Sequence, residues 1–224
     1  MSSELPPKKR IFEQFARVAK ALASANRLEL LEALAQGERG VDALSQAVGM
    51  SVANTSHHLQ ILRDGGLVKS RKEGLQVIYR LTDDAITIVL SGIRGVAERH
   101  LAEVERIVRE NFDSRDSLTP VRRDQLLQMA RDGEAMVIDV RPPNEFEAGH
   151  IPGAINIPLD TLPDRLAELP KDQEIVAYCR GPYCMLAFEA VEQLRLQGFR
   201  ARRLEEGYPE WKAEQLPFDV SSQL

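Results

Sequence analysis

Only two cysteines, Cys179 and Cys184, occur among 224 residues, and both fall in one six-residue stretch, which excludes a framework of structural disulfides. The chain also lacks any apolar run approaching the ~20 residues that span a bilayer. Its start, MSSELPPKKRIF, has basic residues but no apolar stretch before a small-residue cleavage site. The expectation is a cytoplasmic protein without a membrane partner, whose cysteines serve chemistry. Neither an internal repeat nor a low-complexity tract is present. A strong basic balance is missing too, since the net charge is −5. Taken by halves, however, residues 1–112 carry 16 Lys+Arg against 14 Asp+Glu, and residues 113–224 carry 13 against 20. The first half, at +2, is compatible with nucleic acid, where the placement of charge matters more than its sum.

What is present is an ordinary globular composition, 43% hydrophobic and 28% charged, long enough for two small domains. Ile11, Phe12, Phe15, Val18, Ala19 and Leu22 recur at helical spacing. A second helix opens near Asn26, carries Leu28, Leu30, Leu31 and Leu34, and stops at Gly37. A short third helix spans about Val41 to Val48, and beyond the tight Gly49-Met50 junction a fourth runs from about Ser51 to Arg63, ending at Gly65-Gly66. The period then changes to two: Val68 and Ser70, a Glu73-Gly74 turn, and Gln76 to Arg80 predict a hairpin. One long helix is expected from Asp83 to Asn111, with Ile86, Val89, Leu90, Ile93, Val96, Ala97, Leu101, Val104, Ile107 and Val108 on one face. That face is too apolar for a small domain to cover alone, so it is read, with the first helix, as a dimer interface. The polar stretch Asp113 to Ser117 before Pro120 reads as a linker, giving expected boundaries of 1–112, 113–118 and 119–224.

The order short helix, tight turn, second helix and basic hairpin is that of a winged helix-turn-helix. Val52, Leu59 and Leu62 are expected inside the second helix of the motif, and Ser51, Asn54, Ser56, His57 and Gln60 outside it, where they can reach base edges. Lys69, Arg71, Lys72 and Arg80 of the hairpin can meet phosphates. The alternative is a helical protein-interaction domain. Adjacent His57 and His58 point about 100° apart on a helix and cannot face one partner; His57 is expected toward DNA, with His58 packing or capping locally. The segment LSQAVGMSVANTSHHLQILRDGGLVKSRKEGLQVIYRL resembles the ArsR/SmtB family of winged-helix repressors, over essentially all of residues 10–110. The resemblance implies a homodimer on a palindromic double-stranded operator, switched by a ligand. It does not bring a metal site with it: no cysteine precedes Cys179, and Asp84 and His100 stand where two ligands would be while Ile86 and Ala97 occupy the other two. Zinc takes about four ligands, so no metal and no cofactor is expected.

Beyond the linker the grammar is different. Apolar runs at Met136 to Val140, Ala154 to Ile157, Ile175 to Tyr178 and around Leu204 alternate with helical segments near Arg122 to Arg131, Leu159 to Glu168, Met185 to Gln197 and Pro209 to Glu214. Such alternation predicts a small parallel α/β sheet. Cys179 ends an apolar strand and is followed by Arg180-Gly181-Pro182-Tyr183-Cys184 and then a helix. A loop so placed turns amides inward and adds the partial positive charge of a helix N-terminus, which favours an anion and should lower the pKa of the Cys179 thiol. The motifs IDVRPPNEFEAGHIPGAINIP, IVAYCRGPYCMLAFEAVEQL and EEGYPEW together resemble the rhodanese superfamily over residues 117–217. The resemblance implies that Cys179 takes the outer sulfur of thiosulfate or a polysulfide as a persulfide and passes it to a thiol or cyanide. The loop Arg180, Gly181, Pro182, Tyr183 and Cys184 would cradle the sulfur with its backbone amides, and the Arg180 side chain would meet the donor. The six-residue loop resembles the sulfurtransferase type, not the longer loop of phosphatase and arsenate-reductase relatives, which argues against an arsenate sensor. Pro182, the bulky Tyr183 and Cys184 depart from the usual pattern. Cys184 is read either as a small hydrophobe or as a resolving thiol that captures the Cys179 persulfide.

Asp139 and Arg141 are expected to pair near the loop, His150 to Gly153 to form a turn, and Gly207 with Trp211 to close the last helix on the sheet, while Arg141 and Glu145 are candidates for the pocket mouth. Two functions follow. The chain is a transcriptional repressor whose rhodanese-like half senses sulfur, or it is a thiosulfate or polysulfide sulfurtransferase with an autoregulatory DNA-binding half.

Overall fold

The computed structural model describes residues 5–113 and 119–221, and the chain forms two compact units that divide between Leu90 and Ser91. Residues 114–118, on which most of the expected linker falls, lie outside the described residues.

The first unit begins with α1 (Pro7–Leu22), α2 (Ala25–Ala35), β1 (Arg39–Gly40), α3 (Val41–Ala47) and α4 (Val52–Asp64). Ser51 caps α4, its side chain accepting from Asn54 N at 3.3 Å and satisfying one of the free amides of the first turn. Strands β2 (Val68–Glu73) and β3 (Gln76–Leu81) form the predicted hairpin, paired antiparallel from Val68 opposite Leu81 to Glu73 opposite Gln76. Their two-residue turn puts Gly74 at φ 60°, a backbone region that costs other residues energy. Strand β1 adds to β3 and completes a three-stranded sheet of order β1-β3-β2. The core joins Leu30, Leu31 and Leu34 of α2, Leu44 of α3, Leu59 and Leu62 of α4, Val68, Leu81 and Ile86. Each fully buried leucine contributes about 1.5–3 kcal/mol. Val52, expected inside, is 43% exposed. It is the first residue of α4 and overhangs the end of the core, and Thr55, one turn later, takes the buried place.

The single long helix does not form. Helix α5 (Ala85–His100) ends before Leu101, whose backbone is extended at φ −110° and ψ 102°; α6 (Ala102–Val108) follows, closed by a π-type turn at residues 109–113. Leu101 N still donates to Ala97 O at 2.8 Å, so the break lies at the next peptide unit.

In the second unit the remaining elements are α7 (Arg123–Arg131), β4 (Ala135–Asp139), α8 (Pro143–Ala148), β5 (Ile155–Asn156), α9 (Leu162–Arg165), β6 (Glu174–Tyr178), α10 (Met185–Leu196), β7 (Ala201–Arg203) and α11 (Tyr208–Ala213). The four strands are all parallel, in the order β5-β4-β6-β7. The central strands β4 and β6 are almost wholly buried, as a helix-covered parallel sheet requires, whereas Ile155 of the edge strand β5 is 40% exposed. One face packs Ile138, Ile175 and Ala177 on Ala190, Val191 and Leu194 of α10. The other packs Val137, Val176 and Tyr178 on Leu126 of α7 and on Tyr208 and Trp211 of α11. The strand order reverses between β4 and β6, and ligands of such sheets bind at that reversal, beyond the carboxyl ends of the strands. Cys179 directly follows β6 there.

Candidate functional site

The DNA-facing candidates all lie on the surface of the first unit. Ser51, Asn54, Ser56, His57 and Gln60 are exposed along α4, and Lys69, Arg71, Lys72 and Arg80 are exposed on the hairpin. Three of the α4 side chains have local hydrogen-bond partners: Ser51 caps the helix, Asn54 Nδ2 donates to Met50 Sδ at 3.5 Å, and Gln60 donates to Asp64 at 2.6 Å and accepts from Arg63. On the hairpin, Arg71 pairs with Glu38 and with Glu73 at 3.0 Å, while Arg80 lies 3.4 Å from Glu38. Glu38, just before β1, thus braces two wing arginines, a contact the spacing of the sequence did not show. Pairs this exposed are worth about 0–1 kcal/mol, and a phosphate can displace them. His58 is half-buried, and burial first, then Arg27, lowers its pKa.

At the second site, Cys179 is only 2% exposed and Cys184 is half-buried. Cys184 is the N-cap residue of α10, so it sits at the positive end of a 12-residue helix. The Cys179 thiol reaches the Cys184 carbonyl at 3.4 Å and the Gly181 carbonyl at 3.8 Å. One loop amide is already used inside the turn, as Cys184 N donates to Gly181 O at 3.1 Å. The others divide between two sulfurs: Gly181 and Ala187 amides serve Cys179, and those of Arg180 and Leu186 serve Cys184. The expected lowering at Cys179 is therefore reversed. Burial, reinforced by Cys184, pushes the Cys179 thiol well up, whereas the hydrogen bond from Cys179 pulls Cys184 down to about 7. The negative charge of the pair is thus favoured on Cys184 over Cys179.

The loop is braced from three directions. Arg180 Nε donates to Glu145 at 3.1 and 2.9 Å and its Nη2 at 2.8 Å, the fork-on-fork geometry of a strong pair. Glu145 belongs to α8 and is buried, so it anchors the Arg180 guanidinium beside the loop. Below, Arg141 and Asp139 form an ion pair at 2.6 Å with both side chains at 0% exposure. Arg141 also donates to Gly149 O at 2.8 Å and stacks over Tyr208 at 4.5 Å. Arg141 is scaffold under the loop and does not line its mouth. The third brace is Gly207, where a Cβ would lie 2.3 Å from Gly181 N and 2.5 Å from the Arg180 carbonyl carbon. Only glycine permits that approach. Next to it Tyr208 N donates to Cys179 O at 3.1 Å.

Comparison with known proteins agrees with both halves. Residues 24–70 match the family model of bacterial regulatory proteins of the arsR family, and residues 122–214 match that of the rhodanese-like domain. The chain is 44% identical over 220 residues to the HTH-type transcriptional regulator Rv0324 of Mycobacterium tuberculosis, covering 98% of this chain and 96% of that one. Over 91 residues it is 33% identical to a sulfurtransferase of Allochromatium vinosum, spanning 40% of this chain and 83% of that protein. A solved homodimeric winged helix-turn-helix fragment from Mycobacterium bovis is 40% identical, covers 45% of this chain and 94% of its own, and superposes with a TM-score of 0.41. A near-full-length relative at this identity, together with the two matched segments in this order, makes the chain a member of the ArsR family of transcriptional regulators that carries a rhodanese-like domain at its C-terminal end.

Proposed function

We propose that this regulator senses sulfane sulfur through Cys179 and Cys184 and changes its affinity for a palindromic operator in response. The observation that carries the reading is the pair of thiols sharing one set of amides at the switch point of the sheet. Cys184, holding the charge, takes the proton of Cys179 as Cys179 attacks the outer sulfur of a hydropolysulfide. The new S–S bond joins that sulfur to Cys179, the donor's own S–S bond breaks, and the donor leaves one sulfur shorter with the electron pair. Cys184 can then attack Cys179 Sγ of the persulfide, which gives a Cys179–Cys184 disulfide and releases H2S. The exposed apolar stripe of α1, Ile11, Phe12, Phe15 and Val18, and that of α5, including Ile88 and Val89, supply a dimer interface that places two copies of α4 on two half-sites.

The test is binding to the DNA upstream of its own gene before and after sodium polysulfide, for the wild type and Cys179→Ser. A sulfur-dependent change in affinity that the variant lacks supports sensing. Unchanged binding together with sulfur transfer to cyanide assigns the second half to sulfurtransferase chemistry instead, the activity that the similar protein of Allochromatium vinosum is named for.

A further inference from the structure

Within the second unit, the segment Ser91–His100 of α5 meets the cysteine loop on two sides. Tyr183 Oη donates to the Glu98 carboxylate. The Tyr183 ring lies 5.1 Å from Phe112, which lies 5.3 Å from Phe188 of α10. One turn before Glu98, Arg94 donates from Nη1 and Nη2 to Glu210 Oε1, each at 3.1 Å. The other oxygen of Glu210 accepts from Gly207 N at 3.1 Å, and Gly207 is the residue pressed against Arg180 and Gly181. One short stretch of helix therefore holds the rear wall of the loop through Arg94 and its outer corner through Glu98.

These two sides respond differently to added sulfur. A persulfide places a second sulfur about 2.0 Å from Cys179 Sγ. That thiol is 2% exposed and has carbonyl oxygens at 3.4 and 3.8 Å, so a close-packed surround must move to admit the new atom. The Gly207 side is already at the limit of approach and is tied down by the Tyr208 N to Cys179 O bond. What can yield is the turn from Arg180 to Cys184. Its corner residue, Tyr183, is the one fastened to α5.

We propose that the Tyr183–Glu98 hydrogen bond is the contact that passes the sulfur load of the loop to α5. The proposal rests on the sulfur-sensing reading above. In the unmodified state Glu98 and Arg94 hold α5 to both sides of the loop. A persulfide on Cys179, or the disulfide formed when Cys184 displaces its outer sulfur as H2S, draws Tyr183 off Glu98 and frees that side of the helix. The same helix begins at Ala85, and its Ile86 packs in the core that holds Leu59 and Leu62 of α4. A change in α5 therefore reaches the DNA-facing helix along one continuous element. By reciprocity, operator DNA must in turn alter how readily the loop takes up sulfur.

The experiment uses the full-length chain, sodium polysulfide as probe, and the DNA upstream of its own gene. Three quantities are read together: intact mass for sulfur load, hydrogen–deuterium exchange across Ser91–His100, and DNA affinity. In the wild type, sulfur is expected to raise exchange in that segment and shift affinity about 5- to 150-fold, the usual span of allosteric coupling. Glu98→Ala is expected to take up the same mass of sulfur, to show the raised exchange before any sulfur is added, and to shift affinity less than about twofold. Tyr183→Phe, which removes only the hydroxyl, reproduces the raised resting exchange. A Glu98→Ala protein that loads sulfur and shifts affinity as the wild type does overturns the contact while leaving sulfur sensing intact. A wild type that loads sulfur without any shift overturns sensing itself, and the contact with it.

Discussion

The two units place their charges in opposite ways. On the wing of the first unit the candidate cations are exposed, and the carboxylates that pair with them are exposed too, as with Arg71, whose side chain is 51% accessible beside Glu38 at 39%. Around the cysteine loop the ion pairs are buried: Asp139–Arg141 entirely, and Arg180–Glu145 with its carboxylate at 2%. An exposed pair is a reversible occupant of a surface awaiting phosphate. A buried pair is a structural member, since either charge left alone inside the protein is costly. The difference separates an exposed surface whose charges can exchange partners from a loop whose surroundings are fixed.

The largest expected effect tests the buried side. Asp139→Ala leaves Arg141 charged and enclosed, and should destabilise the second unit by about 3–5 kcal/mol in chemical denaturation; a loss under about 1 kcal/mol would erase the contrast. Gly207→Ala comes next, because its methyl must displace the Arg180–Gly181 backbone. Sulfur loading of Cys179, followed by mass, should fall severalfold even where the fold survives. The shared charge of the thiols gives a prediction in pH. With Cys184 pulled to about 7 and Cys179 pushed up by burial, alkylation by iodoacetamide should map to Cys184 first. Its rate should rise as pH climbs through about 7, where thiol becomes thiolate, and fall away below it. Prior reaction at Cys179 would contradict that assignment. On the exposed side the effects are smaller. Lys72→Ala should weaken DNA binding evenly across sequences and reduce the salt slope by about 0.9 for each phosphate that is no longer neutralised. Glu38→Gln, which removes the charge paired with Arg71 and Arg80 while Arg71 keeps Glu73, should tighten binding by no more than about fivefold, in keeping with an exposed pair worth about 0–1 kcal/mol.

Local features of the fold were legible in the sequence. The Glu73-Gly74 turn and the period of two marked the hairpin, and apolar runs marked all four parallel strands, because period and turn chemistry act over a few residues. Other features depend on contacts that spacing cannot reveal. The apolar face of the expected long helix continues through Leu101, Val104 and Ile107, but periodicity cannot register one residue leaving the helix, and no proline or glycine marks the break at Leu101. Helix α8 is six residues long, shorter than the window over which a helical period emerges. Cys179 and Cys184 were identifiable from their place after a strand and before a helix. Which of them carries the charge was not, since that depends on burial and on the division of amides. Glu145 meets Arg180 across 35 positions and Glu98 meets Tyr183 across 85, and each pairing follows from the fold alone.

Gly207 also makes the molecule observable. Trp211, the only tryptophan in the chain, is buried on α11, the helix that Gly207 caps and that begins with the Tyr208 bond to Cys179 O. Its indole N–H donates to Pro217 O at 2.7 Å, so the ring is held in one environment. The protein thus carries a single tryptophan one helical turn from Gly207, and the proposed sulfur uptake is expected to change its intrinsic fluorescence, which reads in real time and without a label.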